Sequence, residues 1–379
     1  MSGLRRKIEL EIRERGPIPF SRYMELCLYD PELGHYSRNA EQFGKAGDFY
    51  TSSDVHAVFG RLLARQFEEL WRVLGSPRPI ELVELGPGRG LFARDVLDWS
   101  EKKFPDFFRA LRYVLVESSP ALREKIEQGL GLRLEGKKAV VRGDLNNWSS
   151  APGISSIVFA NEFFDALPVE ILSQRGSLRI GAHNDRLVET WAQPSLEELE
   201  FLDRYSVQPG EGERLEVPLC ARDVMARVAS SIERGLLVAI DYGYTREEQL
   251  AGRHRGTLKA IRQHSVSANP YEAPGEQDIT ADVNFSALAA AAEKQGMLTQ
   301  RLVTQSQFLM GIGEANQFAD AFEDCALPQE RAKVALQLKH LVTPAGMGES
   351  FHVLVASKGV EAGKVGALAG LNFGRRSSA

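Results

Sequence analysis

Ile80-Glu-Leu-Val-Glu-Leu-Gly-Pro-Gly-Arg-Gly90 runs from an apolar, strand-like stretch into a corner carrying three glycines. A helical pattern starts at Leu91. Glycines at such a corner remove Cβ atoms, so a ligand can lie on bare backbone beside the N–H groups of the next helix. The spacing discriminates between ligands. A dinucleotide fingerprint, G-x-G-x-x-G, puts its third glycine five residues after the first. Leu91 stands there, and the third glycine comes one residue early. The resulting G-x-G-x-G is the form usual in enzymes that use S-adenosylmethionine (SAM), where no pyrophosphate has to be cradled.

Working outward, strands and helices alternate. Strands are expected at 80–85, 113–117, 139–141, 154–160 and 235–241, with helices at 91–102 and 119–129. Such alternation argues for an α/β, Rossmann-like fold with a parallel, doubly wound sheet. Residues 1–75 read as an N-terminal helical segment packing on the core, with helices at 4–15, 21–28 and 54–74. The core is expected over 76–165 and 235–358. Between them, 166–234 reads as an inserted α+β subdomain with strand-like pieces and a helix near 221–233. Residues 244–283 have little apolar periodicity and are expected as a long loop. A helix at 285–295, a strand at 298–304, two helices between 306 and 342 and a strand at 351–357 follow. Residues 359–379 read as a flexible tail.

Composition narrows the function classes. The chain has 379 residues, 43% hydrophobic and 26% charged, enough for one large α/β domain with additions or for two domains. A net charge of −5 disfavours a general nucleic-acid surface. Cys27, Cys220 and Cys325 are far apart and odd in number, so buried reduced thiols are expected and no metal site. No apolar run approaches the roughly 20 residues that cross a bilayer, so no membrane insertion is expected. The first 15 residues read as an amphipathic helix, not a targeting peptide, and the expected location is the cytoplasm.

Several strand ends carry polar groups. Glu117 closes the second strand, where an acidic side chain in doubly wound folds binds a ribose hydroxyl pair; a solvated glutamate is the plain alternative. Asp144 follows the third strand and is expected near adenine, although Gly-Asp is also ordinary turn chemistry. Asn161-Glu-Phe-Phe-Asp-Ala-Leu-Pro168 follows the fourth. Its two carboxylates, Glu162 and Asp165, could orient an arginine guanidinium, which is a poor nucleophile because its pKa exceeds roughly 12. Phe163 would be an apolar wall; alternatively Asp165 is a cap and Phe163 core. Gly47-Asp-Phe-Tyr-Thr-Ser52 could close over the cofactor, or Thr51 to Asp54 could cap a helix. Asp241-Tyr-Gly243 ends the fifth strand. His264 and Asp278 are substrate-binding candidates in the long loop, with Thr280 and Asp282 beside them.

These motifs, with Gly275-Glu-Gln-Asp-Ile-Thr-Ala281 and Met347-Gly-Glu349, occur in an order that resembles the MidA-like methyltransferases. That group contains the mitochondrial complex I assembly-factor arginine methyltransferase. The resemblance spans roughly residues 4–358. It implies a class I SAM-dependent methyltransferase fold, SAM as cofactor, and a protein substrate, as a respiratory complex I subunit or its bacterial equivalent would be. It also implies that Glu84, Gly86, Gly88, Gly90 and Asn161 contact SAM, Glu117 its ribose, and Thr51 and Ser52 its amino-acid end. One departure stands out. The family loop reads D-I-T-A-H-V-D-F, whereas here Asp282 replaces histidine and Asn284 replaces aspartate, so the acceptor can differ. A small-molecule methyltransferase and a non-catalytic SAM-binding assembly factor are the alternative readings, and the oligomeric state is open.

Overall fold

The computed structural model describes residues 3–38, 57–145, 148–184, 186–262, 265–267, 269–314 and 316–373. Its centre is the expected twisted sheet. We number the main strands β1 (Ile80–Leu85), β2 (Leu111–Val116), β3 (Ala139–Arg142), β4 (Ser155–Asn161) and β5 (Gly235–Tyr244). An interrupted β6 follows (Leu298–Thr299 and Val303–Thr304), then β7 (Phe351–Lys358). The order across the sheet is β3-β2-β1-β4-β5-β7-β6. Strands β1 to β5 pair in parallel, and β7 inserts antiparallel between β5 and β6.

Both faces are covered, and each strand alternates its side chains between two apolar layers. Leu82, Leu115 and Val238 face helices Ala57–Val73 and Leu91–Lys103, where Phe59, Phe67, Phe92 and Phe159 interlock. Val83, Val114 and Leu237 face helices Leu219–Ser231 and Phe285–Lys294. Full coverage explains why β1 is buried along its whole length.

The register decides where a ligand can sit. Leu85 lies opposite Val116 on one side and Ala160 on the other, and Ile240 opposite Asn161. The carboxyl ends of β1, β2, β4 and β5 are thus level. Strand order reverses between β1 and β4, the switch point where doubly wound sheets open a crevice.

Several expected boundaries are corrected. Helix Leu219–Ser231 lies outside the inserted unit: it packs on the parallel sheet through Met225, Val228 and Ala229. Periodicity shows that a segment is a helix but not what it packs against. The rest of 166–234 forms an antiparallel sheet (Glu170–Ser173, Gly176–His183, Arg186–Ala192, Leu215–Val217) that recruits Ile18–Pro19 as a strand. N-terminal helices Gly3–Arg15 and Phe20–Tyr29 share a core with that sheet, and only Ala57–Val73 of the N-terminal segment covers the central one. The expected loop at 244–283 contains helix Arg246–Leu250 and a small sheet of Lys259–Arg262, Ser265–Ser267 and Asp278–Thr280, elements too short to show a period. The tail is folded as far as described: Val365, Leu368 and Leu371 are buried in the core. Cys27 is buried, Cys220 and Cys325 are half-buried, and all three are free thiols. Among the described residues, no helix is long and apolar enough to cross a membrane.

Candidate functional site: a carboxylate-lined cavity at the strand ends

A cavity of about 330 Å³ lies over the carboxyl ends of β1 to β4. The turn after β1 forms one wall. Gly86, Gly88 and Gly90 have φ of 64°, 54° and 74°, in the left-handed region that glycine adopts without strain. Their surroundings differ. A Cβ on Gly86 would lie 2.9 Å from the Phe163 ring, and one on Gly88 would meet nothing within 4 Å. One on Gly90 would press on Ile126 at 3.3 Å. Gly88 is therefore the bare backbone facing the cavity, whereas Gly90 lets helix Pro120–Glu135 pack close and is not among the residues lining the cavity.

Burial marks several of the acidic groups here. Glu117 is buried beyond β2, and its Oε1 accepts the Ser119 N–H at 2.8 Å. Burial raises its pKa to about 7, against the pull of the Ser119 and Gly88 N–H groups. Glu84 is buried at the end of β1, accepts the Tyr113 hydroxyl at 2.8 Å, and is raised by burial to about 8. Asp144 lines the cavity beyond β3, beside Leu145.

The segment after β4 forms the opposite wall. Asn161 Nδ2 donates to Glu162 Oε1 at 3.2 Å. Glu162 has φ of 48°, a conformation that costs a non-glycine residue roughly 1–2 kcal/mol. Neighbouring contacts enforce it. The Glu162 N–H donates to the Ile240 carbonyl at 3.0 Å, and Asp241 Oδ2 accepts the N–H groups of Phe163, Phe164 and Asp165 at 3.2, 3.0 and 3.3 Å. Burial and the nearby Asp165 and Glu162 carboxylates push the Asp241 pKa well up.

Asp165 is the most exacting group. Its Oδ2 accepts the Tyr242 hydroxyl, and its buried Oδ1 has no hydrogen-bond partner among the described residues. Burial, with the Glu162 and Asp278 carboxylates next, raises its pKa to about 8. Asp278 lines this same cavity from strand Asp278–Thr280, where the Tyr36 hydroxyl donates to it at 3.1 Å. Six carboxylates and two arginines, Arg89 and Arg227, thus line the cavity among the described residues. Such an imbalance in a desolvated space favours a cationic ligand.

Glu162 also faces a second cavity of about 590 Å³ on its other side, shared with Tyr242, Lys259, Asp282 and Met347. Asn284 is not part of either lining; it caps helix Phe285–Lys294 and donates to the Tyr205 carbonyl.

Of the expected site residues, Glu84, Gly86, Gly88, Glu117, Asp144, Asn161, Glu162, Phe163, Asp165 and Asp278 meet at one cavity. Thr51, Ser52 and His264 lie outside the described residues. Tyr29 and Tyr36 also line it and were not anticipated: they come from N-terminal helices whose periodicity signals only packing. No cluster of three or more metal-ligating side chains occurs among the described residues.

Residues 62–303 match a family model described as "Putative S-adenosyl-L-methionine-dependent methyltransferase". The chain belongs to this family. Its relatives include the protein arginine methyltransferase NDUFAF7 homolog, mitochondrial, of Drosophila melanogaster, 33% identical over 94% of this chain and 85% of the relative. The human protein arginine methyltransferase NDUFAF7, mitochondrial, is 27% identical over 92% and 81%. A Burkholderia thailandensis protein crystallised bound to S-adenosyl-homocysteine superposes with a TM-score of 0.81 at 27% identity, covering 97% of this chain and 94% of that one. The methyltransferase uses SAM, and its cavity fits that cofactor on its own evidence. Gly88 leaves backbone bare where a side chain would intrude, and buried carboxylates with raised pKa values await positive charge.

Proposed function

We propose that the methyltransferase methylates a guanidinium nitrogen of an arginine side chain in a protein substrate. One observation carries this reading: Glu162 stands in the wall between two cavities, and the half-satisfied Asp165 lines the first of them with it. A guanidinium presents several N–H donors in one plane and pairs with carboxylates bidentately. The names of the relatives, protein arginine methyltransferases, support the same acceptor.

Bound SAM supplies an electrophilic methyl group on sulfur. In our reading Glu117 binds the ribose hydroxyls, Asp144 the adenine amino group, and Gly86 and Gly88 leave room along the backbone. Glu84 and Asn161 hold the cofactor from the ends of β1 and β4, and Thr51 and Ser52 are assigned its amino-acid end. Phe163 closes the pocket against water, and Asp278 turns the acceptor toward the donor. Glu162 fixes the attacking nitrogen in line and stabilises the charge on the guanidinium. On gaining the methyl group that bound SAM would supply, the acceptor nitrogen has one proton to shed. Asp165 is suited to accept it, since its carboxyl is held up to about 8 by burial and positioned by the Tyr242 hydroxyl. A subunit of respiratory complex I, or its bacterial equivalent, is the substrate to assay first.

Glu162→Gln removes the charge and keeps the shape. Turnover should fall by about 10²-fold or more, the scale of losing one oriented electrostatic group, while calorimetric affinity for S-adenosyl-homocysteine stays within about twofold. Full turnover in this variant would remove Glu162 from the mechanism.

A further inference from the structure

A second cavity meets the first at Glu162. Its floor is aromatic: Tyr242 and Phe351 pack edge to face with centroids 5.5 Å apart. Its walls carry Glu162, Glu248, Asp282 and Glu349. Its rim is open, because Arg253, Lys259, Glu349 and Ser350 are exposed. The chain also shows what this surface holds. The Lys259 ammonium lies 5.1 Å over the Tyr242 ring and 3.2 Å from Asp282 Oδ1, a cation clasped between an aromatic face and a carboxylate. His254 Nδ1 is 3.0 Å from the other Asp282 oxygen and fixes that carboxylate in place.

Tyr242 links the two spaces physically. Its ring lines the second cavity, and its hydroxyl is bonded to Asp165, which lines the first. A cationic side chain travelling over Tyr242 therefore arrives at the carboxylate pair from the side opposite the glycine turn.

We propose that this second cavity is the acceptor channel, taking an extended peptide segment whose arginine side chain passes over Tyr242 to reach Glu162. The inference deepens the arginine reading and rests on it for the acceptor's identity. An open rim suits a polypeptide, since a small metabolite is normally enclosed. Lys259 occupies the route of the incoming guanidinium and is displaced toward Asp282 when the peptide enters.

The test blocks the channel and leaves the cofactor cavity alone. Ser350→Cys is placed in a Cys220→Ser, Cys325→Ser background and labelled with a bulky maleimide; Cys27 is buried. Methyl transfer from tritiated SAM into an extract of a strain lacking the protein is compared with and without label. The expected result is at least a tenfold loss of transfer on labelling, with unchanged S-adenosyl-homocysteine affinity. The same label at Leu132→Cys, an 85% exposed position on helix Pro120–Glu135, should have no effect. A second variant, Glu349→Arg, should raise the KM for the acceptor at least fivefold at nearly constant kcat. Undiminished transfer after complete labelling would overturn the channel, as would loss of cofactor affinity together with transfer. Failure of the arginine reading looks different: transfer would be blocked by the label, but the methyl would map to a residue other than arginine.

Discussion

Three glycines that look equivalent in the motif do different work, and substitution should separate them. Gly88→Ala adds a methyl group to open space, so its structural cost is the left-handed backbone alone, about 1 kcal/mol. We expect it to weaken S-adenosyl-homocysteine binding by at least tenfold in calorimetry with a small change in melting temperature. Gly90→Ala should reverse the pattern, lowering the melting temperature through the crowded Ile126 contact while the remaining folded protein binds normally. The carboxylates predict a pH dependence. Glu84, Asp165 and Glu117 titrate near 8, 8 and 7 in the folded protein, but at about 4 when unfolded. The native state therefore holds more protons between about pH 4 and 8, and stability of the free protein should fall as pH rises through that window. A sulfonium prefers these groups ionised, so SAM affinity should rise from pH 6 to 8.5 with proton release detectable by calorimetry in buffers of different ionisation heat; a flat profile would contradict this. The sequence exposed Glu117 and Glu162 because a polar residue closing an apolar strand has few structural reasons to be there. It hid the difference between Gly88 and Gly90, which depends on a helix 30 or more residues away.

At the scale of elements, Asp241 turns the end of β5 into an anchor for the segment after β4. It gathers three consecutive N–H groups, which otherwise would be buried without acceptors. Asp241→Ala should therefore cost about 1–3 kcal/mol for each N–H left buried without an acceptor, and should also release Glu162 from its left-handed conformation. Chemical denaturation and kcat measure the two effects; a fall in kcat without loss of stability would place Asp241 in the chemistry itself. Longer elements were legible: β1 from its apolar run, and helix Ala57–Val73 as the helix expected at 54–74. Short elements were not. Gln300 donates its N–H to the Val355 carbonyl where β6 is interrupted, a detail that no residue pattern signals. The tail misled because Gly, Ala and Ser suggest looseness, yet Val365, Leu368 and Leu371 supply enough apolar surface to dock it. Leu368→Ala should cost about 2–5 kcal/mol, as for other buried leucines.

Over the whole molecule, the central sheet supplies one side of the first cavity, and the N-terminal helices with the small sheet of Lys259–Arg262, Ser265–Ser267 and Asp278–Thr280 supply the other, through Tyr29, Tyr36 and Asp278. Two cavities of different character result, one desolvated and acidic, the other open and floored by aromatics, with Glu162 common to both. The strand-end half of this arrangement could be read from sequence because each strand carries its own terminal residue. The meeting of the two cavities could not, since it joins residues near 30, 162, 242, 282 and 347 through tertiary packing. Methyl transfer to arginine across that shared wall is the central proposal. Its most direct measurement is incubation with isotopically labelled SAM and proteome from a deletion strain, followed by mass-spectrometric mapping of the modified residue. We predict label on arginine side-chain nitrogen, absent with Glu162→Gln. Label confined to other residues or to small metabolites would contradict the account.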